Sequence, residues 1–209
     1  MKRIILPLLK RIENQKGSIS MFILIIMIVF LPFTIWVGVQ LPEKIQATYA
    51  IKQMAMNTAD SVITRLDQAA LSHGNVRVDM TEGMEVADLM IRGTLNLDAE
   101  GNPSGKGVLK EQIPIHFANT VTDLEKIENP ATGEIRYKLP DKTGVYVYIL
   151  NEPANPVTIL TENGPIDIED TTVIVRANIP IETGGFASRT MIRKTGVAEA
   201  SLNETGGGS

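Results

Sequence analysis

Hydrophobic and polar positions divide this chain into three regimes. Residues 17–42 carry no charge, and the run from Ile19 to Leu41 is largely apolar. A bilayer core about 30 Å thick needs about 20 apolar residues to cross it as a helix. The pattern therefore predicts a membrane-spanning helix over 19–41, bounded by Lys16 on one side and Glu43-Lys44 on the other. Over residues 42–73 the apolar positions recur at spacings of three and four: Ile45, Tyr49, Met56, Ala59, Val62, Ile63, Leu66 and Ala70, with only Lys52 interrupting. That spacing predicts an amphipathic helix with one apolar packing stripe. Pro32 and Pro42 are predicted to bend the helix, since each lacks a backbone donor. Gly74 is predicted to end it.

Beyond Gly74 the period changes again. Val76–Met80 alternates like a strand, and Thr81–Arg92 reads as a helix capped by Thr81 and closed by Gly93. Residues 97–107 are turn chemistry throughout, and Val121–Ile127 suits a short helix. Six alternating runs rich in β-branched residues follow: 135–139, 145–150, 157–160, 166–168, 172–180 and 188–200. Short strands joined by short turns predict an antiparallel sheet. The fold class expected is thus α+β: a long N-terminal helix, part membrane and part amphipathic, followed by an antiparallel sheet domain over 74–202 and a flexible tail over 203–209.

Charge orients this layout. Of 20 basic and 24 acidic residues, five and one lie in the leader 1–18, leaving 15 and 23, a formal −8. Lys2, Arg3, Lys10, Arg11 and Lys16 predict a cytoplasmic N-terminus, because short basic flanks stay inside. The expected localisation is the cell membrane, single-pass, with the 74–202 domain extracytoplasmic. The apolar core is longer than that of a cleaved secretory signal, and no Ala-x-Ala site follows it. An acidic exterior poor in aromatics disfavours nucleic-acid binding.

Little in the sequence carries catalytic chemistry. The absence of cysteine excludes a disulfide framework, a thiolate zinc site and a thiol nucleophile. The histidines, His73 and His116, stand alone. Asp98, Glu100 and Asn102 alternate as in a calcium loop, but Leu109 stands where such a loop needs its glutamate. Asp167-Ile168-Glu169-Asp170 reads as a turn between strands. No nucleophile motif, phosphate loop or metalloprotease motif is present. The chain is expected to be no enzyme and to use no cofactor, metal or small-molecule substrate.

Three stretches carry a resemblance. Gln15-Lys16-Gly17-Ser18-Ile19-Ser20 opens the apolar run, Tyr49–Asp60 follows it, and Arg189–Ala200 closes the domain. Together they resemble TadE- and TadG-like proteins of tight-adherence (Flp-type) pilus systems, across the N-terminal third and the last thirty residues. The resemblance implies a pilin-like fold and a non-enzymatic structural role in pilus assembly. It also implies partners in the lipid bilayer and among other pilin-like or pilus-assembly membrane proteins. It marks Gly17 and Ser18 as a possible processing site. Phe22 stands five residues after Gly17, where cleaved members carry glutamate, so an unprocessed TadG-like protein fits better than a major pilin. The alternative expectation is a membrane-tethered binding or adhesion module unrelated to pili.

Overall fold

The computed structural model describes residues 20, 21, 23–34, 38, 41–104, 109–130, 133–153, 155–182 and 189–200. The basic leader with Gly17 and Ser18, residues 19, 22, 35–37, 39 and 40 of the expected span, and the 203–209 tail lie outside these. Residues 20, 21 and 23–34 are helical, and every large apolar side chain from 23 to 31, with Phe33, is exposed. Among the described residues no helix is long and apolar enough to cross a membrane. The span expected over 19–41 is thus represented only by this shorter apolar piece.

Helix α1, Leu41–Ile63, is the backbone of the domain. Pro42 sits in its first turn, where the missing N–H has no helical partner to lose. Its inner face is Ile51, Met54, Ala55, Thr58, Ala59 and Val62, an i, i+3, i+4 series rich in small residues that lets the helix approach a sheet closely. The single helix expected over 42–73 is corrected here, because α1 stops at Ile63. Thr64 Oγ1 turns back to the Ser61 carbonyl, Arg65 N–H donates to Val62, and Leu66 pairs with Val78 as an isolated β-bridge. Asp67 then caps a new short helix, α2 (Gln68–Ser72), accepting from the Ala69 and Ala70 amides at 2.8 and 3.2 Å.

Helix α3, Met80–Leu95, is capped by Asp79 rather than Thr81, and it runs through Gly93 to a left-handed Asn96. Its buried positions, Gly83, Ala87, Ile91 and Leu95, recur every four residues. The Asp79 carboxylate accepts from Thr81 and Glu82 amides at 2.8 and 3.0 Å. Replacing Asp79 with alanine is expected to cost about 1 kcal/mol. A urea melt of the full chain checks it, and an unchanged midpoint would count against the cap.

Among the described residues eight strands form two sheets rather than the one expected. Strands β1 (Ile115–Ala118), β4 (Gly144–Leu150), β7 (Thr171–Ile181) and β8 (Thr190–Ala200) make the first, in the order β1-β4-β7-β8. Strands β2 (Glu125–Glu128), β3 (Ile135–Lys138), β5 (Val157–Thr161) and β6 (Gly164–Ile168) make the second, in the order β2-β3-β5-β6. Each sheet contains one parallel pair, β1 with β4 and β3 with β5, among antiparallel ones. Of residues 121–127, expected as helix, 121–124 are a turn and 125–127 belong to β2, while 76–79 contributes only the Val78 bridge and Met80 opens α3.

The layers are helix, sheet, sheet. Val145, Val147, Ile149, Val173, Val175, Ala177, Ile179, Ile192 and Ala198 point from the first sheet to α1 and α3. Tyr148, Leu150 and Ile174 point the other way, to Leu139, Ile159 and Ile168 of the second sheet's layer. Strand β7 is therefore covered on both faces and buried along its whole length. This explains why Val173-Ile174-Val175 is apolar on both faces of the strand.

Candidate functional site

The stripe read from the sequence divides between two faces of α1. Ala59 and Val62 are fully buried against the domain, and Ile63 packs half-buried at its edge. Leu66 and Ala70 fall beyond the end of α1 and are half-buried. Ile45, Tyr49 and Met56 instead face solvent, at 59 %, 64 % and 40 % exposure. At about 100° per residue these three fall on one side of the helix with Leu41, which is also exposed. Lys52 lies within this apolar seam and Asp60 at its lower end. Both are exposed and make no ion pair among the described residues. Apolar side chains left exposed together on one helix face make it a candidate contact surface.

A second feature is an open groove of about 480 Å³ where the two sheets diverge. Tyr137, Leu150, Val121 and Val157 form its apolar walls, and the Asn119 and Asn155 amides stand at its rim. Among the described residues no charged side chain lines it.

A third is a polar cluster between the sheets. Arg176 of β7 and its neighbour Asn178 are buried in an otherwise apolar strand. An Arg176 Nη1–H donates to the Glu162 carboxylate and, at 3.0 Å, to Thr195 Oγ1. Glu162 also accepts from the Thr195 N–H and hydroxyl, each at 2.6 Å. Burial pushes the Glu162 carboxyl up, but the bonds from Thr195 and the charge of Arg176 hold it below its ordinary value. Asp141 is lowered by the hydrogen bond from Lys138 Nζ at 2.9 Å, with Arg193 and Arg176 adding to it. Asn178 Nδ2 donates to the Pro140 and Lys142 carbonyls at 2.6 and 2.9 Å. Tyr148, buried at the same interface, has its hydroxyl pushed up to about 12. This cluster pins one sheet to the other and leaves no carboxylate free to act as a base.

The other sequence candidates are structural. His73 ends α2 with its ring Nδ1 at 2.8 Å from the Ala69 carbonyl, and His116 stacks on Tyr146 with ring centroids 4.8 Å apart. The Asp98 carboxylate already accepts from the Glu100 and Asn102 amides of its own loop, at 3.0 and 2.7 Å. Among the described residues no three His, Asp or Glu side chains gather as a metal-ligand group. Comparison with family models, curated protein sequences and solved structures yields no match.

Proposed function

We propose that this chain is a membrane-anchored, non-enzymatic pilin-like component of pilus assembly, of the TadE/TadG-like kind. The observation that carries the reading is the helical apolar segment 23–34, exposed on all sides, followed by α1 with its own unpartnered apolar seam. A helix apolar all round is either core or membrane span, and this one has no core around it. The basic leader supplies the cytoplasmic end and the acidic helix–sheet–sheet domain lies outside. In this arrangement the anchor holds the subunit in the bilayer. The seam, Leu41, Ile45, Tyr49 and Met56, packs against helices of neighbouring assembly proteins, while Ala59 and Val62 hold the helix to its own domain.

The test follows from that division. Ile45→Asp and Tyr49→Asp are expected to abolish filament assembly while leaving membrane fractionation and the melting midpoint unchanged. Val62→Asp is expected to unfold the domain instead. Filaments that form normally with both seam variants would remove the reading.

A second reading, a membrane-tethered binding or adhesion module, draws support from the uncharged groove between the sheets. Under it, cells lacking the protein still make filaments, and substitutions at Tyr137 or Asn119 affect attachment.

A further inference from the structure

We infer that Asn163-Gly164 is a site of spontaneous covalent modification, a deamidation that lengthens the β5–β6 turn and releases Glu162 from the inner sheet. The inference goes beyond the filament and binding readings above and depends on neither.

Asn163 is followed by Gly164, and no other asparagine of the chain precedes a glycine. An asparagine side chain is attacked by the main-chain nitrogen of the next residue, and a side chain on that residue hinders the approach. Glycine has none. The backbone itself calls for glycine here, because Gly164 has φ +124°, a conformation other residues rarely adopt. Nothing lies within 4 Å of where its Cβ would stand, so the approach is open. Asn163 is exposed, and its carboxamide makes no hydrogen bond among the described residues. Only its main-chain N–H is held by a side chain, donating to Thr161 Oγ1 at 3.2 Å.

The bonds balance without an oxidant or an enzyme. The Gly164 nitrogen bonds to Asn163 Cγ, and the Cγ–Nδ2 bond breaks. Ammonia leaves with the proton that the Gly164 nitrogen gives up, and a five-membered imide remains. Solvent water then opens the imide, its hydroxyl going to a carbonyl carbon and its proton to the nitrogen. Opening at Cγ gives aspartate. Opening at the main-chain carbonyl gives isoaspartate, in which the main chain runs through the former side chain.

The position gives this chemistry a structural consequence. Glu162 and Asn163 connect Thr161 to Gly164, which pair across β5 and β6. The length of such a turn sets the hairpin's register. Isoaspartate adds a methylene to the main chain of this two-residue connection and places a carboxylate next to Glu162. Glu162 accepts from the Thr195 N–H and hydroxyl, each at 2.6 Å, and from Arg176. Those bonds hold only while the Glu162 main chain keeps its place. The modified turn therefore gives them up, and Arg176 loses its nearest carboxylate.

The full-length chain is aged at mildly alkaline pH in detergent, once folded and once unfolded in guanidinium chloride. Peptides containing residue 163 are then read by mass spectrometry with fragmentation that separates isoaspartate from aspartate. The expected result is loss of the Asn163 amide in both samples, ahead of every other asparagine, with isoaspartate the larger product. A folded sample in which Asn163 keeps its amide as long as Asn57 or Asn119 overturns the inference. Thermal melts supply the second measurement. The aged folded chain is expected to show a lowered midpoint, and Asn163→Gln aged alike to keep both amide and midpoint. Asn163→Asp introduces the charge without the methylene and is expected to melt close to the fresh parent. An isoaspartyl chain that melts with the fresh parent, or an Asn163→Asp chain that melts as low as the aged one, overturns the inference.

Discussion

Replacing Gly196 with alanine is expected to lower the stability of the full chain by about 3 kcal/mol, and valine by more. Gly196 lies in β8 directly beneath α1. A Cβ built there would fall inside the backbone carbonyl of Ala55 and 2.6 Å from the Met56 nitrogen. These are main-chain atoms, so no side-chain rotation makes room. The helix has to lift off the strand. That opens the packing of Ile51, Met54, Ala55 and Ala59 over the first sheet. For a chain of this size the melting midpoint should fall by roughly 6–12 °C. The control is Gly93→Ala in α3, where nothing lies within 4 Å of the added methyl. It is expected to leave stability unchanged or raise it by up to about 1 kcal/mol, because alanine favours a helix over glycine. Thermal melts in detergent read all three variants. A Gly196→Ala chain that melts with the parent would mean that α1 does not approach β8 this closely.

The close approach also shows what periodicity reveals and what it leaves out. The sequence placed the strand segments well. Runs read at 145–150, 157–160, 172–180 and 188–200 appear as β4, β5, β7 and β8 with ends moved by one or two residues. Alternation and β-branched residues reflect burial directly. It did not show two sheets, since pairing is a long-range property. The parallel pairs β1 with β4 and β3 with β5 are set by packing that no local pattern encodes.

The helix stripe was misphased for a definite reason. Two faces of α1 are each compatible with spacings of three and four. The one with the bulkier apolar side chains, Ile45, Tyr49 and Met56, points outward, while the buried one carries Ala55, Thr58 and Ala59 because the sheet lies so near. Small residues at a helix spacing were the available signal for the inner face, and Lys52 was the signal that the other face is not core. The break after Ile63 has no Pro or Gly. Asp67 followed by Gln68-Ala69-Ala70 was its only local mark, an N-cap inside a helical pattern. The groove between the sheets was invisible in sequence, since Tyr137 and Asn119 are brought together only by the packing of separate sheets.

Arg176 is legible in the sequence. A charge in the middle of Thr172–Pro180 belongs either at a surface or to a buried pair, and in β7 it is the latter. Its side chain is 6 % exposed and that of Glu162 22 %. Arg176→Met is expected to cost about 3 kcal/mol, because the desolvated Glu162 carboxylate then keeps only its Thr195 bonds. Removing both charges, as Arg176→Met with Glu162→Gln, is expected to recover much of that loss, since a buried pair contributes less than breaking it costs. The pH dependence gives an independent reading. Glu162 is held below its ordinary value, so it contributes stability at pH values above the unfolded carboxylate range. That contribution is lost as pH falls through its folded value. In the Arg176→Met chain one of the pulls on Glu162 is gone. Its carboxyl titrates at a higher pH, and the acid-dependent part of the stability shrinks. Urea midpoints of the parent, both single variants and the double, measured from neutral pH into the acid range, separate these effects. A coupling near zero, with identical acid profiles, would mean that the two sheets are held together by their apolar contacts alone. A coupling of about 2 kcal/mol that fades in acid would make the Arg176–Glu162 pair the link that fixes the outer sheet on the inner one.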